Sequence, residues 1–295
     1  PDGTFLSQKM SSGGFGISRY TLDYLLAQIA LKSGVKILQE TAEKVNFLAE
    51  KDFFELNTSQ NSYQFDVVVG AFGKRSNMDM ALQRDFVAEI KNAKKQFVGI
   101  KYHIQLDFPD NLIELHNFEG GYCGISKIDA EKCCLCYLAD SSLLQKNANN
   151  IAQMEQNVLM KNPFLEKIFQ QATFLYEKPL AISQIGFAFK PLVENHILMA
   201  GDSAGMIAPL CGNGMTMAMQ ASKLLAEQIQ LFLDQKQSRK QMESNYQKDW
   251  NKTFAIRMLV GRTLQNYVFG GRKSTNLTIA TLRKTPFLVK WLVGL

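Results

Sequence analysis

The residues with the clearest chemical potential follow a single apolar strand. The strand runs into a Gly201-Asp202 turn, and a short loop with Pro209 leads to a Gly-x-Gly step at Gly212 and Gly214 that begins a helix of small residues. Glycine lets the backbone approach a ligand closely, and a helix N-terminus presents free N–H groups and a positive dipole end. The aspartate can accept hydrogen bonds from a sugar-like hydroxyl. This stretch therefore predicts a cradle for an anionic cofactor.

A second glycine turn lies earlier in the chain. The apolar strand that ends at Val69 breaks at Gly70-Ala71, and Gly73 follows after one further residue. A buried strand that ends in Gly-Ala-x-Gly is typical of the turns that approach a cofactor in α/β proteins. We therefore expect two strand ends to contribute to the same kind of site.

The elements that position these turns are indicated by apolar spacing. A helix is predicted over residues 18–33, where apolar residues recur at intervals of three and four, and Gly34 ends it. A short strand over Val35–Leu38 would make this segment the crossover half of a βαβ unit. A β-meander is predicted over residues 44–69, and a helix over residues 215–232.

The middle of the chain has a different periodicity. Alternating apolar residues predict strands over 97–106, 112–118, 121–128, 133–138 and 180–187. A helix is predicted over 149–171, with a break at Asn162-Pro163 because proline cannot continue a helix. The pattern predicts an antiparallel sheet with a helix on one face, inserted as a lid or substrate domain between two cofactor-binding pieces.

Charge is concentrated at the C-terminal end. The chain has 295 residues and a net charge of +6, and the acidic residues after Gln235 are only Glu243 and Asp249. A solvated helical face is one interpretation of this basic region, and a surface for anionic lipid or an acidic partner is the other. No recognised nucleic-acid-binding motif accompanies the charge, so a nucleic-acid partner is not expected. A helix is predicted over 237–260, and an apolar segment begins at Pro286.

Metal binding and membrane spanning are not expected. The cysteines at 133, 134 and 136 occupy a segment that alternates like a strand, and we interpret them as reduced apolar residues of a cytoplasmic protein. No metal site is predicted from the few histidines and these cysteines. No run of about 18 apolar residues occurs, so a spanning helix is not predicted.

The motifs together resemble a known group of flavoproteins. The chain is similar to the flavoprotein oxidoreductases of the para-hydroxybenzoate hydroxylase type, and within them to the geranylgeranyl reductase-like branch, over about residues 10 to 235. The resemblance is carried by Arg19 and its helix, Gly70-Ala71-x-Gly73, Gly201-Asp202-x-Ala204-Gly205, Pro209, Gly212 and Gly214.

The resemblance implies an α/β fold with a Rossmann-like, three-layer FAD-binding domain that lacks its first βαβ segment. It carries an inserted antiparallel-sheet substrate domain and a helical C-terminal tail. The implied domains are the first part of the FAD-binding domain at 1–76, the substrate-binding domain at 77–190, the second part of the FAD-binding domain at 191–235, and the basic helical region at 236–295.

The resemblance also implies roles for particular residues. Asp202 would hold a ribitol hydroxyl of FAD, Arg19 would reach the pyrophosphate side, and Val45 would lie near the adenine. The loop along the isoalloxazine would comprise Pro209, Gly212, Asn213, Gly214 and Met215, with Gly201 preceding Asp202. The alternatives are structural: Asp202 can cap a turn, Arg19 can be a surface charge and Val45 can be a core residue.

Substrate contacts are less defined. Geranylgeranyl reductases carry Tyr-x-Trp-x-Phe-Pro on a strand of the lipid cavity, and the corresponding stretch here keeps Tyr122 but not the Trp or Pro. The halogenase signature Trp-x-Trp-x-Ile-Pro is absent as well, which disfavours halogenation. Tyr122 and Cys211 are the candidate substrate contacts, and a small filler residue is the alternative for Cys211.

The resemblance implies an FAD-dependent oxidoreductase that reduces an apolar unsaturated substrate by hydride transfer, with NADPH or NADH as electron donor. A monooxygenase that hydroxylates an aromatic or polyketide-like compound is the first alternative, and a non-catalytic binding module is the second. Localisation is expected to be cytoplasmic, with peripheral membrane contact through the basic region, and the oligomeric state is left open. Because no Gly-x-Gly-x-x-Gly loop precedes Arg19, weak FAD binding is expected of this chain.

Overall fold

The computed structural model describes residues 5–9, 13–92, 96–207, 214–268, 280–281 and 283–285. The chain forms two compact units. The first unit comprises Pro1–Ile37, Ala93–Gly186 and Asn266–Leu295, and the second comprises Leu38–Asn92 and Phe187–Gln265. Helices and strands combine in both units, and the predicted α/β class is confirmed.

The strands of the described residues are, in chain order, β1 Ala42–Leu48, β2 Phe53–Thr58, β3 Ser62–Phe65, β4 Val69–Gly70, β5 Phe97–Gln105, β6 Ile113–Phe118, β7 Gly121–Lys127, β8 Lys132–Asp140, β9 Thr173–Phe174, β10 Leu180–Ile185, β11 Val193–Glu194 and β12 Ile197–Met199. The helices are α1 Arg19–Lys32, α2 Asn77–Ala81, α3 Phe86–Lys91, α4 Ser141–Lys146, α5 Ile151–Asn157, α6 Pro163–Gln171, α7 Gly214–Leu233 and α8 Arg239–Val268, with 3₁₀ turns at Leu159–Lys161 and Gly201–Ser203.

The first unit is built on an antiparallel sheet in the order β10-β5-β8-β7-β6, with β9 added beside β5. One face of the sheet packs against α5, the following 3₁₀ turn and α6. Its core includes Ile100, Ile125, Leu135, Leu159 and Leu165, all buried. The predicted antiparallel strands and the helix on one face are therefore confirmed.

The predicted break in the helical segment of this unit has a clear cause. Asn162 accepts a hydrogen bond from Phe164 N through its side chain, and Pro163 occupies the first turn of α6. Asparagine is a favoured N-cap, and proline at the first helical position loses no intrahelical bond. The proline therefore restarts the helix and gives the second half its own direction.

A carboxyl group is buried between the helices and the sheet of the first unit. Glu155 Oε1 accepts hydrogen bonds from Tyr102 Oη at 2.8 Å and from Tyr137 Oη at 2.7 Å. Burial raises the pKa of Glu155, although both hydroxyl bonds act in the opposite direction. The uncharged carboxyl is therefore favoured by this position.

The second unit contains two small sheets. The antiparallel meander β1-β2-β3 matches the predicted one, and β12 pairs with β11 on one side and in parallel with β4 on the other. α8 contributes a row of buried side chains to the core: Met242, Tyr246, Trp250, Phe254 and Met258. Tyr246 Oη donates to Met199 O at 2.6 Å, which ties this helix to the last residue of β12.

The start of α8 is fixed to the meander by one arginine. Arg239 Nη2 donates to Asp52 O at 2.9 Å and Asp66 O at 2.7 Å. Its guanidinium lies 4.9 Å from the ring centroid of Phe47 and 5.0 Å from that of Phe232. Hydrogen bonds at its edge and aromatic rings at its faces use the planar geometry of arginine.

Some local predictions differ from the structure. No strand forms over Val35–Leu38, which is exposed and irregular, so the predicted βαβ crossover is wrong at this point. The helix predicted to end at residue 260 continues to Val268, and the apolar segment from Pro286 lies outside the described residues. The compact units also group residues 1–37 with the central sheet, and most of α8 with the second unit.

Among the helices of the described residues, none combines the length and the hydropathy needed to cross a membrane.

We predict that Glu155→Gln gains stability relative to the wild type as pH rises. A carboxyl whose folded-state pKa is raised stabilises the fold fully below its unfolded pKa, and this contribution is lost as pH rises through the folded value. Glutamine keeps one carbonyl oxygen for both tyrosine hydroxyls and does not titrate. Urea unfolding at about pH 4 and about pH 8 measures the difference. Glu119→Gln, an exposed control, should show no such trend, and equal pH trends for both variants would contradict the prediction.

Candidate functional site

The two predicted glycine turns lie at neighbouring strand ends. β4 and β12 are parallel, with Val69 opposite Leu198 and Gly70 opposite Met199. The chain leaves the two strands through Gly73 and Gly201, whose φ values are +82° and +61°. Such positive values favour glycine, and the carboxyl ends of parallel strands are the common place for ligands in α/β sheets. The structure thus brings together the two motifs that the sequence indicated separately.

Ser203 joins the two turns. Its side chain is fully buried, and Oγ lies 2.7 Å from both Gly70 O and Ala200 O, so its single proton is shared between them. Ala200 N also donates to Gly70 O at 3.0 Å. The 3₁₀ turn that carries Asp202 is therefore fixed directly to the end of β4.

A buried arginine holds the same turn from another side. Arg84 Nη1 donates to Ser203 O at 3.1 Å and to Asp79 Oδ1 at 3.0 Å, and Nη2 donates to Pro191 O at 2.7 Å. Asp79 uses its other oxygen in the capping box of α2, where it accepts from Ser76 N. Since the side chains of both Arg84 and Asp79 are excluded from solvent, the ion pair is a rigid anchor with each oxygen of the carboxylate satisfied.

Lys190 connects the two glycine turns through their backbones. Its Nζ donates to Lys74 O and to Asp202 O, both at 2.8 Å. The pKa of Lys190 is lowered to about 8, mainly by burial. The carboxylates of Asp79 and Asp202 raise this pKa, whereas the positive charge of Arg84 lowers it further. The ammonium group is therefore placed to orient carbonyl groups and is only partly hydrated.

The open edge of the site carries an acceptor and a cation. The Asp202 side chain is exposed, whereas Lys74 Nζ is buried and has no hydrogen-bond partner among the described residues. Burial lowers the pKa of Lys74, and the Asp202 carboxylate counteracts this shift. The Asp202 carboxylate, which can accept hydrogen bonds from hydroxyl groups, therefore lies near the Lys74 ammonium, which has no acceptor among the described residues.

The helix predicted after the Gly-x-Gly step is confirmed as α7. A Cβ added at Gly201 would lie 3.8 Å from Ala218 Cβ, so the first turns of α7 lie close to the Gly-Asp turn. A narrow crevice of about 10 Å³ between them is lined by Gly201, Asp202, Gly214 and Ala218, among others. This volume admits little more than one water, so a cofactor would lie along its rim. The free N–H groups at the helix start favour an anionic or electron-rich group there.

The other predicted site residues have different positions. Gly214 and Met215 form the start of α7, and Pro209, Cys211, Gly212 and Asn213 lie outside the described residues. Arg19 is exposed in the first unit and pairs with Asp23 at 3.0 Å. Val45 is half-buried in β1 and packs against the core of the second unit. The FAD contacts predicted for Arg19 and Val45 stay predictions.

Tyr122 lies on the sheet face opposite the helices of the first unit. Cys123 and Ile125 belong to the helix-covered core, and because side chains alternate along a strand, Tyr122 and Gly124 point to the other face. Tyr122 itself is buried. The register places four exposed apolar residues on this second face, which we call the open sheet face: Ile113, Leu115, Leu180 and Ile182.

The same alternation separates the cysteines. Cys133 and Cys136 have C-x-x-C spacing, but Cys133 is part of the helix-covered core whereas Cys136 lies on the open sheet face. Their side chains therefore do not converge on one ligand. Cys123, Cys133, Cys134 and Cys136 are all free thiols.

The fold is that of flavin-dependent oxygenating and halogenating enzymes. The flavin-dependent brominase Bmp2 has a TM-score of 0.73 and 17% identity, over 94% of this chain and 70% of Bmp2. HpxO of Klebsiella pneumoniae, complexed with FAD and uric acid, has a TM-score of 0.68 and 15% identity, over 94% of this chain and 71% of HpxO. For pqsL, a probable FAD-dependent monooxygenase from Pseudomonas aeruginosa, the TM-score is 0.60 and the identity is 17%, over 84% of this chain and 69% of pqsL. At 15–17% identity, these likenesses establish the fold.

The family follows from the sequence. The squalene epoxidase family model matches residues 125–284, which is more than half of the chain, and the chain belongs to the squalene epoxidase family. The conditioned medium factor receptor 1 of Dictyostelium discoideum is 23% identical over 292 residues, which cover 93% of this chain and 55% of the relative. The chain therefore spans about half the length of this curated relative. The predicted superfamily is confirmed, and its branch is squalene epoxidase instead of geranylgeranyl reductase.

Sequence reasoning missed the residues that hold the site. Arg84, Lys190 and Lys74 are basic residues without a motif of their own, and their burial depends on distant partners. The spacing of Ser76 and Asp79 resembles a capping box and could have marked the start of α2. It carried no signal that Asp79 also pairs with an arginine.

We predict that Arg84→Met lowers the free energy of unfolding by roughly 3–5 kcal/mol, because the buried Asp79 carboxylate loses its counter-ion and two carbonyl oxygens lose their donors. Urea unfolding of the purified protein measures this change. Arg257→Met is the matched control, because Arg257 is only partly buried and forms a long hydrogen bond to Gln220 at 3.4 Å, and it should change stability by less than about 1 kcal/mol. Equal losses in the two variants would show that Arg84 is not an anchor.

Proposed function

We propose that this chain is part of an FAD-dependent monooxygenase that transfers one oxygen atom to an apolar unsaturated substrate. The observation that carries the proposal is the match of the squalene epoxidase family model to residues 125–284. That range contains Leu180 and Ile182 of the open sheet face, the Gly-Asp turn and α7. The reaction class thus differs from the hydride-transfer reduction expected from the motifs alone, while the apolar substrate class is kept.

The residues at the strand ends fit the chemical groups of FAD. Asp202 supplies an exposed carboxylate that can accept hydrogen bonds from ribityl hydroxyls. The buried Lys74 ammonium has no acceptor among the residues that the structure describes and suits an anionic group, as does the start of α7. When bound, FAD supplies the redox chemistry and the reaction with oxygen. The chain contributes orientation, through the anchors Arg84 and Lys190, and electrostatic support.

The open sheet face supports an apolar substrate. Exposed branched side chains at Ile113, Leu115, Leu180 and Ile182 lie on one surface, and larger exposed apolar patches commonly mark binding sites. Gly99 and Gly124 lie between these residues in the register. Because glycine has no side chain, the surface is lower at these two positions. We infer that this face, with Tyr122, contacts the hydrocarbon part of the substrate and keeps water away from it.

Hydride transfer to the same substrate is the second candidate. Ala204 and Gly205 stand where aromatic hydroxylases of the superfamily usually carry Ala-His, and this difference favours its reductase and halogenase members. We further propose that NADPH or NADH is the electron donor. The basic region after Gln235 would make peripheral contact with a membrane.

The two candidates differ in the fate of oxygen. With FAD, NADPH, ¹⁸O₂ and squalene in detergent, a monooxygenase should give an epoxide with one ¹⁸O atom, while the second atom leaves as water and NADPH is oxidised. Mass spectrometry of the extracted product measures the label. A product with added hydrogen and no ¹⁸O would support hydride transfer instead. Hydrogen peroxide without any modified substrate would contradict both candidates.

We predict that Leu115→Ser raises the KM for the apolar substrate roughly 5- to 30-fold, because one buried leucine contact contributes about 1–2 kcal/mol. Leu115 is 51% exposed, so the change should leave stability nearly unaltered. Leu233→Ser, at 53% exposure near the end of α7, is the matched control and should keep the wild-type KM. If both variants behave alike, the open sheet face does not bind the substrate.

A further inference from the structure

The second unit contains a cavity of about 230 Å³ that the proposed flavin site does not use. It lies between the segment before β11 and the inner side of α8. Its apolar walls include Phe189, Leu192 and Met258, and its polar lining includes Lys190, Trp250 and Arg262. The cavity is smaller than the sites that hold drug-sized ligands, which occupy roughly 300–1,000 Å³.

Two of the lining side chains carry buried donors without partners. Trp250 Nε1, Arg262 Nε and Arg262 Nη2 are excluded from solvent and have no hydrogen-bond partner within the described part of the chain. A buried polar group left unpaired destabilises the fold, and native proteins rarely leave several of them in one place. An acceptor that enters this cavity is the direct way to satisfy them.

The geometry of Arg262 selects the kind of acceptor. Nε and Nη2 form one edge of the guanidinium, and their N–H bonds are parallel, which matches the two oxygens of a carboxylate. The Phe189 ring lies 3.7 Å from Arg262 Cζ. Contact with the ring uses the face of the guanidinium and leaves its edge available for hydrogen bonds.

The charge around the cavity is positive. None of the described residues that line it is acidic, and Arg262 forms no ion pair with a described carboxylate within 4.0 Å. Burial lowers the pKa of Arg262, and Glu89 opposes this shift through space without contact. Lys190 adds a second cationic group that donates to two backbone carbonyls. Water at about 30 Å³ per molecule would fill the space but carries no charge to pair with the guanidinium edge of Arg262.

We propose that this cavity binds a small organic carboxylate. Its two oxygens pair with Nε–H and Nη2–H of Arg262, and its apolar part packs against Phe189, Leu192 and Met258. The site is formed entirely by residues of the second unit, and the proposal does not depend on the oxidoreductase activity.

Isothermal titration calorimetry of the purified chain tests the proposal with three probes: benzoate, its neutral analogue benzamide, and inorganic phosphate. Benzoate should bind at least tenfold more tightly than benzamide, because only the anion pairs with the guanidinium edge. Arg262→Lys keeps the charge but loses the paired donors, and should weaken benzoate binding tenfold or more. Arg257→Lys, on the same helix but outside the cavity lining, should leave the affinity unchanged.

The outcomes separate the alternatives. Equal binding of benzoate and benzamide, or no benzoate binding, would overturn the proposal on the wild-type protein alone, whether or not the variants fold. Benzoate binding that Arg262→Lys leaves intact would place the ligand elsewhere and would also overturn it. Phosphate binding without benzoate binding would contradict an organic carboxylate and indicate a simple oxyanion site.

Discussion

The buried guanidinium of Arg84 is the interaction on which the candidate site depends. It neutralises Asp79 and holds the backbone of Ser203 and Pro191 through directed hydrogen bonds. A buried ion pair is costly to desolvate and is strongly destabilising when one partner is lost, so its value lies in the geometry that it fixes. Here that geometry is the turn after β12, which carries the exposed Asp202.

In the antiparallel sheet of the first unit, alternation along each strand divides the side chains into two sets on opposite faces. Side chains such as Ile125 and Leu135 form the core with α5 and α6, and their neighbours form the open sheet face. A single-residue shift of register would exchange these two sets. The covered face therefore fixes which residues, including Leu115, remain available to an apolar ligand.

α8 has a comparable double role in the second unit. Its buried side chains complete the core, and Tyr246 reaches the carbonyl group of Met199 at the end of β12. The following turns of the helix place Trp250, Met258 and Arg262 around the cavity. The same helix thus supports the strand that precedes the Gly-Asp turn and forms the wall of a second binding site.

Local patterns in the sequence were sufficient for much of the fold. The spacing of apolar residues predicted α1, α7 and the antiparallel strands, and the glycines at 201 and 73 marked turns that occur in the structure. The tertiary structure alone decided which charges are buried. Arg84 meets Ser203 across 119 residues of sequence, and Arg239 meets Asp52 across 187. Periodicity and turn chemistry are local properties of the chain, whereas the partner of a charged side chain depends on residues that only folding brings together.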